Sequence, residues 1–270
     1  MKIHHLRNAT FIIESGKNYI IVDPMLSEKG KLPPFALFRH KPRFNPTVSL
    51  PDNALHILPK VTHCLITHSH TFGLKALQHT DHLDADGELF LKQNNIPVIC
   101  REDDANYLKK YGINVITSLY YWESKELSEE LKGIKITAIP AKHGHGWIHK
   151  FMANGAGFYI EIQNEPSIYI SGDTVYTQDV ERVLTEFKPN IAVVAAGSAS
   201  LDVGGSILMP LEEIIKFIQK APNRVILNHL EALNHCPTTR NQLKLILQDK
   251  VLLSKVYIPD DGEILNFDTL

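Results

Sequence analysis

A chain of 270 residues, 44% hydrophobic and 21% charged, is long enough to bury a substantial core as one large domain or two small ones. Its net charge of −2 supplies no basic surface for non-specific nucleic-acid binding, and no apolar run approaches the roughly 18 residues that mark a membrane span. Cys64, Cys100 and Cys236 are widely spaced and odd in number, which argues against a disulfide framework and makes a reducing cytosol the simplest compartment.

Met1 to His5 enters a strand-like segment at once, with no apolar signal region. Residues 3–14 and 18–22 read as two strands around the turn Ser15-Gly16-Lys17, the second stopped by Asp23-Pro24. His4 and His5 fall on opposite faces of the first strand, so one of them is expected to face solvent. Residues 27–59 show no periodicity and hold six prolines, with Lys29, Lys31, Arg39, Lys41 and Arg43. A loop of this length is usually functional or disordered. It reads as a solvated loop or, more sharply, as a basic lid over an anionic small-molecule substrate.

Strands are expected at 61–67, 97–100, 114–117, 134–140, 157–163, 167–171, 191–195 and 224–227. Helices are expected at 84–94, 102–110, 179–187, 211–220 and from Pro237 to Gln248, the last with a threonine cap. Residues 256–258 and 263–267 read as a closing hairpin around Asp260-Asp261-Gly262. No linker or low-complexity tract divides the chain, so residues 1–270 are taken as a single domain. Two sheets packed face to face with helices outside fits this count, although one large mixed sheet fits it as well.

The stretch Thr67–Asp84 stands out, with four histidines and two aspartates in 18 residues after a buried-strand pattern. A rigid strand feeding imidazoles and carboxylates is a common way to build a metal site. The other candidates also follow strands: His143 after Ile136–Ile139, Asp173 after Ile168–Ile170, and His229 after Val225–Leu227. Side chains at strand ends collect along one rim, where distant segments can form an open site.

In this order His68, His70, Asp81, His82, His143, Asp173 and His229 resemble the His-x-His-x-Asp-His, His, Asp, His series of the metallo-β-lactamase superfamily, with Asp23 matching its early aspartate. The opening Ile3–Ala9 and the segment His229–Cys236 further resemble bacterial hydrolases near the ascorbate-6-phosphate lactonase-like group. The resemblance implies an α+β, four-layer αββα sandwich holding two divalent ions, zinc first with manganese or iron as alternatives. It implies that His68, His70 and His143 hold one ion, Asp81, His82 and His229 the other, and that Asp173 bridges. Asp81 is then also catalytic, orienting a hydroxide and receiving a proton. The reaction implied is hydrolysis of a small-molecule ester, lactone, amide or phosphodiester.

One departure matters. Ten residues, Thr71–Thr80, separate His70 from Asp81 where the family has one. Either His70 or His79 can therefore fill the second-histidine position. His70 is favoured because only Ser69 separates it from His68, and alternate strand residues share a face. His79, His145, Glu231 and His235 are read as supporting or substrate-facing groups. If the insertion lifts Asp81 and His82 away, the alternative is a mononuclear or non-catalytic metal-binding protein. Di-iron redox chemistry is disfavoured, since it usually takes a Glu in that position and a partner flavin domain.

Overall fold

The computed structural model describes residues 1–127 and 131–267 and contains two seven-stranded mixed sheets. The first runs β14 (Ile264–Asn266), β1 (Lys2–Arg7), β2 (Thr10–Ser15), β3 (Asn18–Val22), β4 (His63–Ile66), β5 (Val98–Arg101) and β6 (Val115–Leu119). The second runs β13 (Val256–Tyr257), β12 (Arg224–Asn228), β11 (Ile191–Ala195), β10 (Ile168–Ile170), β9 (Ala156–Ile162), β8 (Ile134–Pro140) and β7 (Ser124–Glu126).

Strand periodicity explains the four layers. Phe11, Ile13, Ile20, Val22 and Leu65 of the first sheet meet Ile136, Phe158, Ile160, Val193 and Ile226 of the second in one inter-sheet core. The alternate residues turn outward. Ile12, Ile21, Cys64 and Ile66 pack with α1 (Ala54–Ile57), α2 (Ala85–Gln93) and α3 (Glu102–Lys110). Ala192, Val194, Val225 and Leu227 pack with α4 (Gln178–Arg182), α5 (Leu211–Lys220) and α6 (Arg240–Asp249). This is the αββα sandwich expected. Thr239 caps α6 in a reciprocal capping box with Gln242, so that helix starts three residues later than its pattern suggests.

Three local expectations are corrected. The apolar stretch 3–14 is two antiparallel strands, because Asn8 takes a left-handed turn (φ 54°) and reverses the chain. The closing segments do not pair as a hairpin. β13 joins β12 and β14 joins β1, so the C-terminal strands lie in different sheets. His4 and His5 are both buried, each against a carboxylate: Glu14 at 2.6 Å and Asp261 at 3.5 Å.

Strands β3, β4 and β5 run parallel, as do β10, β11 and β12, and β8 is antiparallel to β9, which is antiparallel to β10. Their C-terminal ends deliver Asp23, Thr67-His68, His143, Asp173 and His229.

Candidate metal centre

Two groups of possible ligand atoms form at this rim. One nitrogen each from His68, His79 and His143 lies within 4.8 Å of the others, and so do single atoms of Asp81, His82, Asp173 and His229. Asp173 lies at the centre: its Oδ2 is 3.2 Å from His82 Nε2, 3.6 Å from His143 Nε2 and 3.7 Å from His229 Nε2. All these residues are buried except His79, which is partly open to a cleft.

The outer nitrogens decide which lone pairs face inward. His143 Nδ1 donates to the Ile207 carbonyl at 2.9 Å, and His82 Nδ1 to Asp23 Oδ2 at 2.9 Å. Thr67 Oγ1 donates to Asp23 Oδ2 (2.7 Å) and accepts from His68 Nδ1 (3.0 Å). His229 Nδ1 faces Cys236 Sγ at 3.4 Å. The Nε2 atoms of His68 and His229, with Asp173 Oδ1, are buried without a hydrogen-bond partner, and His82 Nε2 faces only Asp173 Oδ2. Buried polar atoms are rarely left unsatisfied, and convergent orphan lone pairs beside a carboxylate fit a divalent cation. His79 reaches in with the other nitrogen, since its Nε2 is held by Thr71 Oγ1 at 3.1 Å.

Charge states agree with this geometry. Burial and the neighbouring imidazoles push His68 well below its ordinary range, and burial lowers His79 to about 4, so both stay neutral. Burial also lowers His229. Burial opposes charge on His82, yet the carboxylates of Asp173, Asp23 and Asp81 raise it well above the usual value. Burial works against ionising Asp173 and Asp81 too, but His82 with His229 holds Asp173 well below its ordinary range, and His82 with His79 lowers Asp81.

The expected second histidine is corrected. His70 lies outside both groups. Its ring packs on Tyr107 (centroids 4.1 Å apart), and its Nδ1 accepts the Gly73 N–H at 3.1 Å. β4 ends at Ile66, so the alternation that would pair His68 with His70 no longer applies. The ten residues Ser69–Gln78 form a hairpin instead. His79 N donates to Ser69 O (2.9 Å) and Thr71 N to Leu77 O (3.0 Å), which brings Ser69 and His79 together across its root. Asp104 on α3 pins that root by accepting from Ser69 N at 2.9 Å. Of the two candidates, His79 and not His70 stands beside His68 and His143, with the hairpin Ser69–Gln78 between His68 and His79.

Two supporting assignments also change. His145 is exposed and bonds Glu213 at 2.8 Å. Glu231 bonds Arg240 at 2.6 Å and takes a left-handed backbone (φ 59°), which makes it a loop anchor. His235 is buried, lines the cleft and has Nδ1 unpartnered; burial lowers it to about 4.

Several positioning groups carry no motif in the sequence. Asn8 accepts His229 N–H at its carbonyl (2.8 Å) and donates from Nδ2 to Asp81 O (2.7 Å). Gly155 and Gly197 allow close approaches: a Cβ would lie 2.6 Å from Thr67 O at the first and 2.3 Å from His229 O at the second. Asp23, visible as a strand-end aspartate, proves to be the partner of His82.

Above the ligand groups opens a cleft of about 530 Å³. His79, Asp81, His143 and His235 line it with Thr71, Lys75, Gln78 and Thr80, beside the apolar Leu32, Pro33, Pro34, Phe35, Ala76, Leu77, Phe151, Met152, Leu201 and Ile207. The long loop thus supplies a wall, but of apolar residues. Lys31 pairs with Asp86 at 2.7 Å and Arg39 Nη1 donates to Gly204 O at 3.0 Å; none of the five basic loop residues is among those lining the cleft.

Residues 18–230 match the family model of the beta-lactamase superfamily domain. The chain is 30% identical over 270 residues to the UPF0173 protein YddR of Bacillus subtilis (strain 168), covering 99% of this chain and 100% of that one. It is 24% identical over 231 residues to a UPF0173 metal-dependent hydrolase of Nanoarchaeum equitans (strain Kin4-M), covering 84% and 82%. Among solved structures, an isothiocyanate hydrolase from Delia radicum gut bacteria superposes with a TM-score of 0.84 at 27% identity, covering 99% of both chains. A "possible metal-dependent hydrolase" from Veillonella parvula DSM 2008 gives 0.86 at 25%, again covering 99% of both.

Proposed function

The chain belongs to the beta-lactamase superfamily, as a metal-dependent hydrolase of the UPF0173 family, and from that premise we propose a two-ion enzyme acting on a small, uncharged electrophile with an apolar side chain. Isothiocyanates are the first class to test, followed by esters and lactones. The observation that carries this reading is the set of orphaned imidazole nitrogens around Asp173 at the floor of an apolar cleft. The neighbour named for isothiocyanate hydrolysis covers the whole chain, and its named substrate class is a neutral electrophilic carbon on an organic tail.

In this reading His68, His79 and His143 would hold one divalent ion, and Asp81, His82, Asp173 and His229 would hold a second. Zinc is the first candidate for an all-imidazole and carboxylate set; manganese and iron suit the same donors. Such ions supply a water acidified from a pKa of about 15.7 toward about 7, a nucleophile at neutral pH. The remaining work falls to the chain. Asp23 and the Ile207 carbonyl fix the His82 and His143 rings through their Nδ1 protons. Ionised Asp81 orients the attacking water and takes its proton. The apolar walls exclude bulk water, and neutral His235 offers a hydrogen bond to the substrate heteroatom that gains charge. An anionic phosphodiester is a poorer fit, because the ammonium of Lys75 at the cleft is committed to Glu88. Three buried free thiols favour a reducing cytosol as the site of action.

The test is metal content per chain together with turnover of benzyl isothiocyanate, phenyl acetate, a lactone and a phosphodiester, with and without chelator. Two ions per chain and chelator-sensitive hydrolysis of the neutral substrates are expected. A metal-free protein whose hydrolysis ignores chelators overturns the reading.

A further inference from the structure

The hairpin Ser69–Gln78 stands where the family spacing has one residue, and apart from Thr71, which holds the far nitrogen of His79, it takes no part in the ligand groups. It is nevertheless firmly built. Ser69 is pinned to Asp104, the Tyr107 hydroxyl donates to Gln78 Oε1 at 3.0 Å, and Lys75 is clasped by Glu88 while lying 4.8 Å from the centre of the Tyr111 ring. Each of these anchors belongs to α2, α3 or the residue after α3. The hairpin lines the cleft with Ala76 and Leu77 beside Thr71, Lys75 and Gln78; those three polar side chains are engaged by His79, Glu88 and Tyr107, and Leu77 stays 43% exposed. Phe72, 67% exposed near the tip, lines a different recess with Arg101 and Lys150.

We infer that this hairpin is the specificity-determining wall of the cleft, with Leu77 receiving the apolar tail of a neutral substrate. Pro33, Pro34 and Phe35 form the other side, and Phe151 and Met152 complete the enclosure. Because the hairpin root is continuous with His79, the wall and the ligand group are held in register. An apolar wall favours each added methylene and rejects charged groups, which lose hydration without gaining a partner. The inference rests on the substrate class proposed above and names the residues that select it.

The test separates binding from turnover. Metal-loaded protein is titrated calorimetrically with n-alkanols of four to eight carbons. Affinity is expected to rise about fourfold per methylene in the unaltered protein. Leu77→Asp should lower that slope below about twofold and Leu77→Ala should lower it part way, both with unchanged metal content. Phe72→Ser, on the same hairpin but outside the cleft, should leave it intact. An unchanged slope in Leu77→Asp, or an equal loss in Phe72→Ser, overturns the assignment. Steep slopes without turnover of any neutral substrate refute the proposed reaction and leave the wall standing. Turnover with flat slopes refutes the wall alone.

Discussion

Replacing His79 with alanine should strip the first ion from this protein, and replacing His70 should not. His79 contributes one of three imidazoles whose nitrogens lie within 4.8 Å of one another. Losing an outer partner of a metal ligand typically costs 10–100-fold in affinity, so removing the ligand itself should cost at least about 100-fold. His70→Ala loses an aromatic contact with Tyr107 and one hydrogen bond from Gly73. Each is worth about 1 kcal/mol. The expected result is a stability loss of about 1–2 kcal/mol, or several degrees in Tm, with metal affinity held to within about threefold of the original, well short of the cost of losing even an outer partner. Thr71→Val should fall between, because it frees His79 Nε2 without removing the ring; a 10–100-fold loss is expected. Zinc titration against a chromophoric chelator, alongside thermal melts, reads all three. If His70→Ala loses the metal while His79→Ala keeps it, the placement of the insertion before the second histidine is wrong.

Other substitutions probe the rest of the centre. Asp173→Asn removes the carboxylate shared by His82, His143 and His229; a fall of at least about 1000-fold in kcat/KM is expected, in line with several kcal/mol of charge stabilisation, and retention of full activity would exclude a bridging role. Asp23→Asn weakens the anchor of His82, so the second ion should bind 10–100-fold less tightly while the first is retained, as metal counts after dialysis would show. The chelated protein should lose stability on acidification from pH 6.5 toward 4. His79 and His235 are lowered to about 4, against about 6.5 when unfolded, so in this window the unfolded state binds more protons and falling pH favours it. Each group contributes up to about 3 kcal/mol of loss by this reasoning. His82, whose proton is stabilised, acts with the opposite sign, but only above pH 6.5. A Tm that rises between pH 6.5 and 5 would contradict this assignment.

Much of the architecture is written in local pattern. Alternation in residues 191–195 and 224–228 places Val193 and Ile226 in the inter-sheet core and Val194 and Leu227 under helices. Strand ends followed by His143, Asp173 and His229 were legible because a strand's direction fixes the rim that its last residue reaches. Asp81 and His82 were legible by their order in the motif.

What the sequence by itself determined is therefore the set of strands and the rim at their ends, while its resemblance to the metallo-β-lactamase superfamily supplied the two-sheet sandwich and the order of the candidate ligands. What only the tertiary structure decided is which histidine completes that set, because the choice depends on where β4 stops and on hydrogen bonds from Ser69 to Asp104 and from His79 to Ser69, the first spanning 35 residues. The same holds for the closing strands, which join β12 and β1, and for the long loop, whose Pro33 and Pro34 line the cleft while its lysines and arginines are absent from the lining. Spacing along a chain specifies periodicity within an element. It does not specify which non-local partner ends the element or which face of a loop packs inward, and in this protein the second histidine and the chemistry of the cleft both depend on those contacts.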